Sequence, residues 1–148
     1  MKKVTRVPLT PRPYRFRILN LMDGLRQDKG TAFLFITHDL ASARYLADDL
    51  YVMYAGQFVE HGPASEVIHH PLHPYTRILL DAVPDPRRRT LAVISSNKTV
   101  ADLTNASRGC RFAPRCPAVQ DVCRQIEPEE IKVAQDHAVR CHQYDHST

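Results

Sequence analysis

Four cysteines, Cys110, Cys116, Cys123 and Cys141, are spaced C-x5-C-x6-C-x17-C, and no other cysteine occurs in the chain. Structural zinc sites are usually built on closer pairs, two to four residues apart. Thiols on longer loops suit an iron–sulfur cluster better, and the Cys116-Pro117 step also occurs in ferredoxin-type runs. Zinc, a disulfide-bonded set and an unligated set remain alternatives. Arg111 and Arg115 flank the first two thiols and would offset the negative charge of a thiolate cluster. His137 and His142 lie nearby and read as solvated hairpin residues. The start of the chain carries Lys2, Lys3 and Arg6 but then Pro8, Pro11 and Pro13, which is no secretory leader. A reducing compartment is therefore expected, and a disulfide framework is not the first reading.

His38 is the second candidate. It follows the apolar run Ala32-Phe33-Leu34-Phe35-Ile36 and precedes an apolar-periodic segment from Leu40. A histidine between a buried strand and a helix sits where open α/β sheets bind ligands. There it can donate to a phosphate oxygen or place a water. Taken alone, a loop histidine with a local hydrogen bond is the plainer reading.

Positioning elements can be read around these residues. Ile18, Leu19, Leu21, Met22 and Leu25 predict a helix over about 17–28, with Gly30 just past its end. Residues 32–36 read as a strand buried on both faces of a parallel sheet. A helix is expected over 40–47. Strands over 50–54 and 57–60 around Ala55-Gly56 form a hairpin. Ser65 would cap a short helix ended by Pro71, and another helix runs from Tyr75 to Ala82. A weak strand is expected at 91–94. Ile131 and Val133, then Val139 and Cys141, predict a closing hairpin around Gln135-Asp136-His137. Helices and strands in this order indicate an α/β fold.

Composition excludes several classes. Charged residues are 24% and hydrophobic residues 43% of 148, which fits neither a disordered chain nor a coiled coil. No apolar run approaches the roughly 20 residues of a membrane span. The net charge of +4 comes from residues 1–17 and the Arg87-Arg88-Arg89 run, and the remainder is acidic. With no Trp and no interleaved aromatic and basic residues, nucleic acid is not an expected partner.

Larger blocks carry a resemblance. Phe35-Ile36-Thr37-His38-Asp39-Leu40, Tyr45-Leu46-Ala47-Asp48 and Val52-Met53-Tyr54-Ala55-Gly56-Gln57-Phe58-Val59-Glu60-His61-Gly62-Pro63 closely resemble the end of an ABC transporter nucleotide-binding domain. Pro71-Leu72-His73-Pro74-Tyr75-Thr76-Arg77-Ile78-Leu79-Leu80 and Gly109-Cys110-Arg111-Phe112-Ala113-Pro114-Arg115-Cys116-Pro117 resemble the tail of peptide-import ABC ATPases, the dipeptide, oligopeptide and nickel group. The resemblance implies the carboxyl-terminal part of a P-loop ATPase core followed by a small cysteine-containing tail module. It implies that His38 is the switch-loop residue touching the γ-phosphate of ATP/Mg. It also implies a [4Fe–4S] cluster on the four cysteines, since some members bind one at matching positions. A second ATPase subunit, transmembrane permease subunits and, through them, a peptide-binding protein would be partners at the cytoplasmic face of the membrane. His73-Pro74-Tyr75 is expected to be structural.

The resemblance fixes expected boundaries: a basic, patternless 1–16, the end of the core over 17–62, a helical extension over 63–86, a linker over 87–108 and the cysteine module over 109–148. No Gly-Lys-Ser/Thr phosphate loop, Ser-Gly-Gly-Gln signature or Asp-Glu strand is present. Phosphoryl transfer depends on positioned charge from such groups. This chain alone is therefore expected neither to bind ATP tightly nor to hydrolyse it. Residues 1–16 read as disordered, or as out-of-frame translation at a truncated gene. The competing account is a free-standing iron–sulfur or zinc module with a redox-sensing role.

Overall fold

The structure is a computed structural model that describes residues 12–83 and 108–145. Its contacts divide the chain once, into Met1–Ala47 and Asp48–Thr148. The described part of the first unit holds α1 (Arg12–Lys29) and α2 (Leu40–Leu46). α1 starts five residues before the expected Arg17, so residues 12–16, read as patternless, are helical. Proline is tolerated in a first turn, where its missing N–H has no intrahelical partner to lose. The helix ends at Gly30, whose φ of 59° and N–H to the Arg26 carbonyl (3.0 Å) make a left-handed cap. Leu19 and Met22 face inward with Leu46 of α2. Leu21, expected on that face, points to solvent.

The expected strand at 32–36 is not a strand: no ladder includes these residues. The alternation of one survives. Phe33 and Phe35 pack on the Leu19–Met22–Leu46 cluster. Leu34 and Ile36 are 64% and 86% exposed. A strand buried on both faces needs helices on two sides and neighbours on its edges. This unit supplies one covered face only.

The second unit contains β1 (Asp49–Tyr54), β2 (Gln57–Pro63), α3 (Ala64–His69), α4 (Pro74–Asp81), a 3-10 turn at Ala113–Arg115, α5 (Val122–Gln125), β3 (Glu130–Ala134), β4 (His137–Arg140) and a second 3-10 turn at His142–Tyr144. The sheet order is β1-β2-β4-β3 and every pairing is antiparallel, which replaces the expected parallel sheet. The fold is α/β in the sense of helices packed with one antiparallel sheet. β1 and β2 are joined through Ala55 (φ 47°) and Gly56 (φ 79°), the two positive-φ positions of a tight hairpin turn. β4 adds to β2 through Glu60–Val139 and His61–Ala138. The cysteine segment and the 49–63 hairpin therefore share one sheet.

Register shifts between Val52 and Met53, which pair with Glu60 and Phe58 and leave Val59 as the extra residue of a bulge. A bulge turns two successive side chains to one side. Val59 and Glu60 are accordingly both buried. The core is Val52, Tyr54, Val59, Val67 and Phe112, flanked by Leu50, Tyr75, Ile78, Leu79, Cys110 and Cys116. α3 has no side-chain cap: it follows Pro63 rather than the expected Ser65, and the Ala64 N–H is held by the Asp48 carbonyl at 2.8 Å. The strand expected at 91–94 and most of the expected linker lie outside the described residues.

Candidate functional site

His38 is exposed and stands directly ahead of α2. Its neighbours are held on both sides. The Thr37 hydroxyl accepts from the Asp39 N–H at 2.9 Å. Asp39 caps α2, accepting from the Ala41 N–H at 3.1 Å and from the Ser42 hydroxyl at 2.7 Å. Such a cap contributes about 1 kcal/mol to a helix. The result is a fixed turn that carries an imidazole into solvent beside the open Leu34–Ile36 face. It can donate to an anion, but no lysine-bearing phosphate loop exists in this sequence to complete the charge.

A second constellation was not foreseen. Glu60 is 1% exposed, and its carboxylate accepts three hydrogen bonds. The Leu72 N–H reaches Oε1 at 2.9 Å, the His73 N–H reaches Oε2 at 2.8 Å, and His137 Nε2 lies 2.9 Å from Oε1. His137 is 4% exposed and sits in β4, so its reading as a solvated turn residue is corrected. The signal was available: the alternation through Val139 and Cys141, continued back two residues, puts His137 on the same face. Hydrogen bonds to charged groups are worth roughly 1.5–3 kcal/mol each, so a buried carboxylate with three donors is stable and with none is not. Glu60 thus ties β2 to β4 and to the segment before α4.

His73 has the structural role expected of it. Its Nδ1 accepts from the Tyr75 N–H at 3.0 Å and caps α4, with Pro74 at the first helical position. Burial lowers its pKa from 6.5 to about 4, with Glu60 opposing the shift and Arg77 adding to it. Tyr75 packs on Tyr54 and Phe112 at ring-centroid distances of 4.8 and 5.5 Å. Burial raises the Tyr75 pKa, Tyr54 adds to the rise and Arg115 opposes it.

All four cysteines are free; Cys123 and Cys141 are buried, and Cys110 and Cys116 are half-buried. Burial raises the Cys110, Cys116 and Cys141 thiols above their ordinary range, and in each case at least one other thiol adds to the rise. Cys141 feels the other three. Opposing the rise, with smaller effect than burial, are backbone N–H groups: those of Phe112 and Ala113 for Cys110, of Ala118 for Cys116 and of Gln143 for Cys141. The residue two positions on is a donor in all three cases. Hydrogen bonds to sulfur are a recognised way of tuning ligated thiolates. No three His, Cys, Asp or Glu side chains among the described residues are grouped to hold a metal ion. Arg111, expected to balance thiolate charge, donates instead to the Ala55 carbonyl at 2.6 Å. His142 Nε2 lies 2.9 Å from the Ile126 carbonyl.

Residues 59–123 match the family model described as the oligopeptide/dipeptide transporter, C-terminal region. The matched stretch takes in β2 from Val59 on, α3, α4 and three of the four cysteines. Over that stretch the chain is similar to the carboxyl-terminal region of peptide-import ATP-binding proteins. Sequence comparison gives the same affiliation. A peptide import ATP-binding protein of Brucella abortus is 44% identical over 128 residues, covering 86% of this chain and 38% of the relative. The di/tripeptide transport ATP-binding protein DppF of Pseudomonas aeruginosa is 38% identical, covering 85% and 39%. The oligopeptide transport ATP-binding protein AppF of Bacillus subtilis is 36% identical, covering 86% and 40%. The chain thus spans about two fifths of the length of these relatives. Alignment over 128 residues or more reaches well beyond the cysteine segment, and the free-standing module finds no support in it. Among the described residues no helix is long and apolar enough to cross a membrane.

Proposed function

We propose that this chain is the carboxyl-terminal part of the ATP-binding subunit of a peptide importer. The observation that carries this reading is the alignment of 85–86% of the chain with ATP-binding proteins of peptide transport. The complete subunit would hydrolyse ATP with Mg²⁺, pair with a second ATPase subunit, and drive permease subunits supplied by a peptide-binding protein. Its place would be peripheral, on the cytoplasmic side of the membrane. His38 would contact the terminal phosphate. Supporting that role are its exposure and the fixed Thr37–Ser42 turn that presents it. The open Leu34–Ile36 face is where the rest of such a core would pack. The described segments would take the roles expected of 17–62, 63–86 and 109–148.

Cys110, Cys116, Cys123 and Cys141 would hold an iron–sulfur cluster, with zinc as the competing occupant. The resemblance of Gly109–Pro117 to the tail of peptide-import ATPases supports this reading. A single tetrahedral zinc needs four sulfurs within about 2.3 Å of one point. When bound, such a cluster would supply a rigid cross-link of four chain segments and a one-electron centre.

The deciding experiment replaces the matching carboxyl-terminal part of Bacillus subtilis AppF with residues 17–148 of this chain. The chimera is expected to hydrolyse ATP, while the isolated 148-residue chain shows no micromolar ATP binding by calorimetry. His38→Ala in the chimera is expected to lower turnover by about a hundredfold, the size of losing one positioned transition-state donor. An inert but folded chimera would overturn the reading, and an unaffected His38→Ala chimera would remove His38 from the mechanism.

A further inference from the structure

β4 is joined to β2 by a short ladder, Glu60 with Val139 and His61 with Ala138. Two pairs are few for a strand whose His137, Ala138 and Val139 are all buried. Other contacts must keep it in place. The inner one starts at Glu60, where a single oxygen, Oε1, lies 2.9 Å from both His137 Nε2 and the Leu72 nitrogen. The far end of the β3–β4 segment grips the same peptide from its other side. The Tyr144 hydroxyl donates to the Leu72 carbonyl at 3.2 Å. That hydroxyl accepts in turn from Arg77 Nη2 at 3.2 Å, and Arg77 Nε donates to the Pro71 carbonyl at 3.0 Å. Leu72 thus has its N–H on β2 and its carbonyl on the His142–Tyr144 turn.

Gly62 decides how close the β3–β4 turn comes. A Cβ there would fall 2.8 Å from the Asp136 carbonyl oxygen and 3.1 Å from both Cα and Cδ2 of His137. The oxygen and the Cα are backbone atoms, which cannot swing aside as a side chain can. The missing side chain therefore lets the turn lie flat on the end of β2. On the outer face, His61 Nε2 is 3.6 Å from the Glu130 carboxylate, which Arg140 shares at 3.9 Å. Part-exposed pairs of this kind contribute little. The hold is concentrated at Glu60, Gly62 and the Leu72 peptide.

We propose that residues 130–144 are a strap that opens and closes as one unit, with the Leu72 peptide as its catch. Lifting β4 takes His137 from Glu60 and Tyr144 from Leu72 in the same movement. Glu60 and Leu72 are each left one partner short, so the segment before α4 loosens with the strap. A half-open state would keep the carboxylate buried with its donors incomplete, which is worse than either end state. Opening also bares the edge of β2. The strap therefore sets when that edge is available to another strand.

The test follows amide hydrogen exchange in the full chain at rising urea concentrations below its unfolding transition. Amides released by one sub-global opening share one rate and one urea dependence. The hydrogen-bonded amides of β4, Leu72 and His73 are expected to fall on one line, faster than those of β1. Tyr144→Phe removes one hydroxyl and keeps the ring. It is expected to speed β4, Leu72 and His73 together by about two- to tenfold and to leave β1 unchanged. Tyr45→Phe, which removes a hydroxyl bonded to Asn20 in the other unit, is the control and should behave as the parent. Gly62→Ala is expected to speed the same set by about tenfold or more. If it does not fold, Tyr144→Phe decides. A Tyr144→Phe chain that speeds β4 but not Leu72 and His73 separates the strap from the catch and overturns the proposal. So does one that exchanges as the parent does. A single line shared by β4 and β1 overturns it as well, because the sheet then opens only as a whole.

Discussion

The two units meet the same problem, a short run of apolar β-type residues, with opposite results. In Asp48–Thr148 the 49–63 hairpin finds a strand on its edge, helices on its inner face and an aromatic plug from the cysteine loop. In Met1–Ala47 the 32–36 run finds two helices on one face and, among the described residues, nothing on the other. The 32–36 run is the more uniformly apolar of the two. What differs is the supply of partners, and partners decide whether an extended segment becomes a sheet. The second unit therefore has the makings of a folding unit, whereas the first leaves an apolar face open among the described residues.

The largest expected break in this contrast is Glu60→Ala. It leaves two backbone N–H groups and His137 buried without their acceptor, a loss of about 3–5 kcal/mol. Urea unfolding should show the second unit melting far earlier while the α1–α2 helices change little. A loss under 1 kcal/mol would mean that Glu60 is a bystander and the apolar core alone closes the sheet.

His73 sharpens the contrast through pH. Its folded pKa lies below its unfolded value, so the unfolded chain binds the extra proton. Stability from this residue is complete above about pH 6.5 and drains away as pH falls toward 4, by up to about 1.4 kcal/mol per unit. Protonation at Nδ1 would also end the acceptance from Tyr75. Urea midpoints at pH 7 and 5 should differ in the parent and converge in His73→Asn, which keeps an acceptor at the cap. Equal slopes in both chains would place the pH response elsewhere.

Smaller effects are expected in the first unit. Asp39→Ala removes the cap of α2 and should lower helicity of that unit by an amount equal to about 1 kcal/mol, read by circular dichroism. Ile36→Asp should change stability by less than about 0.5 kcal/mol, because its side chain touches little in this chain. It should, however, reduce self-association in light scattering, since an open apolar face is an aggregation surface. A large stability loss from Ile36→Asp would show the face to be covered already.

Local signals told the sequence reader much and long-range ones little. Gly30, Gly56 and Pro74 announce their turns because the requirement lies within a few residues. The hairpins were legible for the same reason, as was His73 as a structural residue. The 32–36 run was misread because its pattern reports a fully covered strand and cannot report what is missing. Glu60 escaped because strand glutamates normally face water. Only a bulge, visible in the pairing and not in the string, turns it inward beside Val59. Residue type and spacing single out His38 and the four thiols as proposals. Their surroundings are not legible, since the Arg111 contact to Ala55 joins residues whose nearness depends on the finished sheet.

The pairing of β2 with β4 also has a consequence in time. Glu60 and His61 are synthesised well before their partners Val139 and Ala138. Ribosomes add about 5–20 residues per second, so the outer edge of the first hairpin waits several seconds, unpaired, for its strand to emerge. During that interval β2 is a bare edge carrying a carboxylate meant for burial, and edges of that kind are blunted by charge. Glu60 would then act twice over: as a gatekeeper during synthesis, and as the clasp that closes the sheet once β4 arrives.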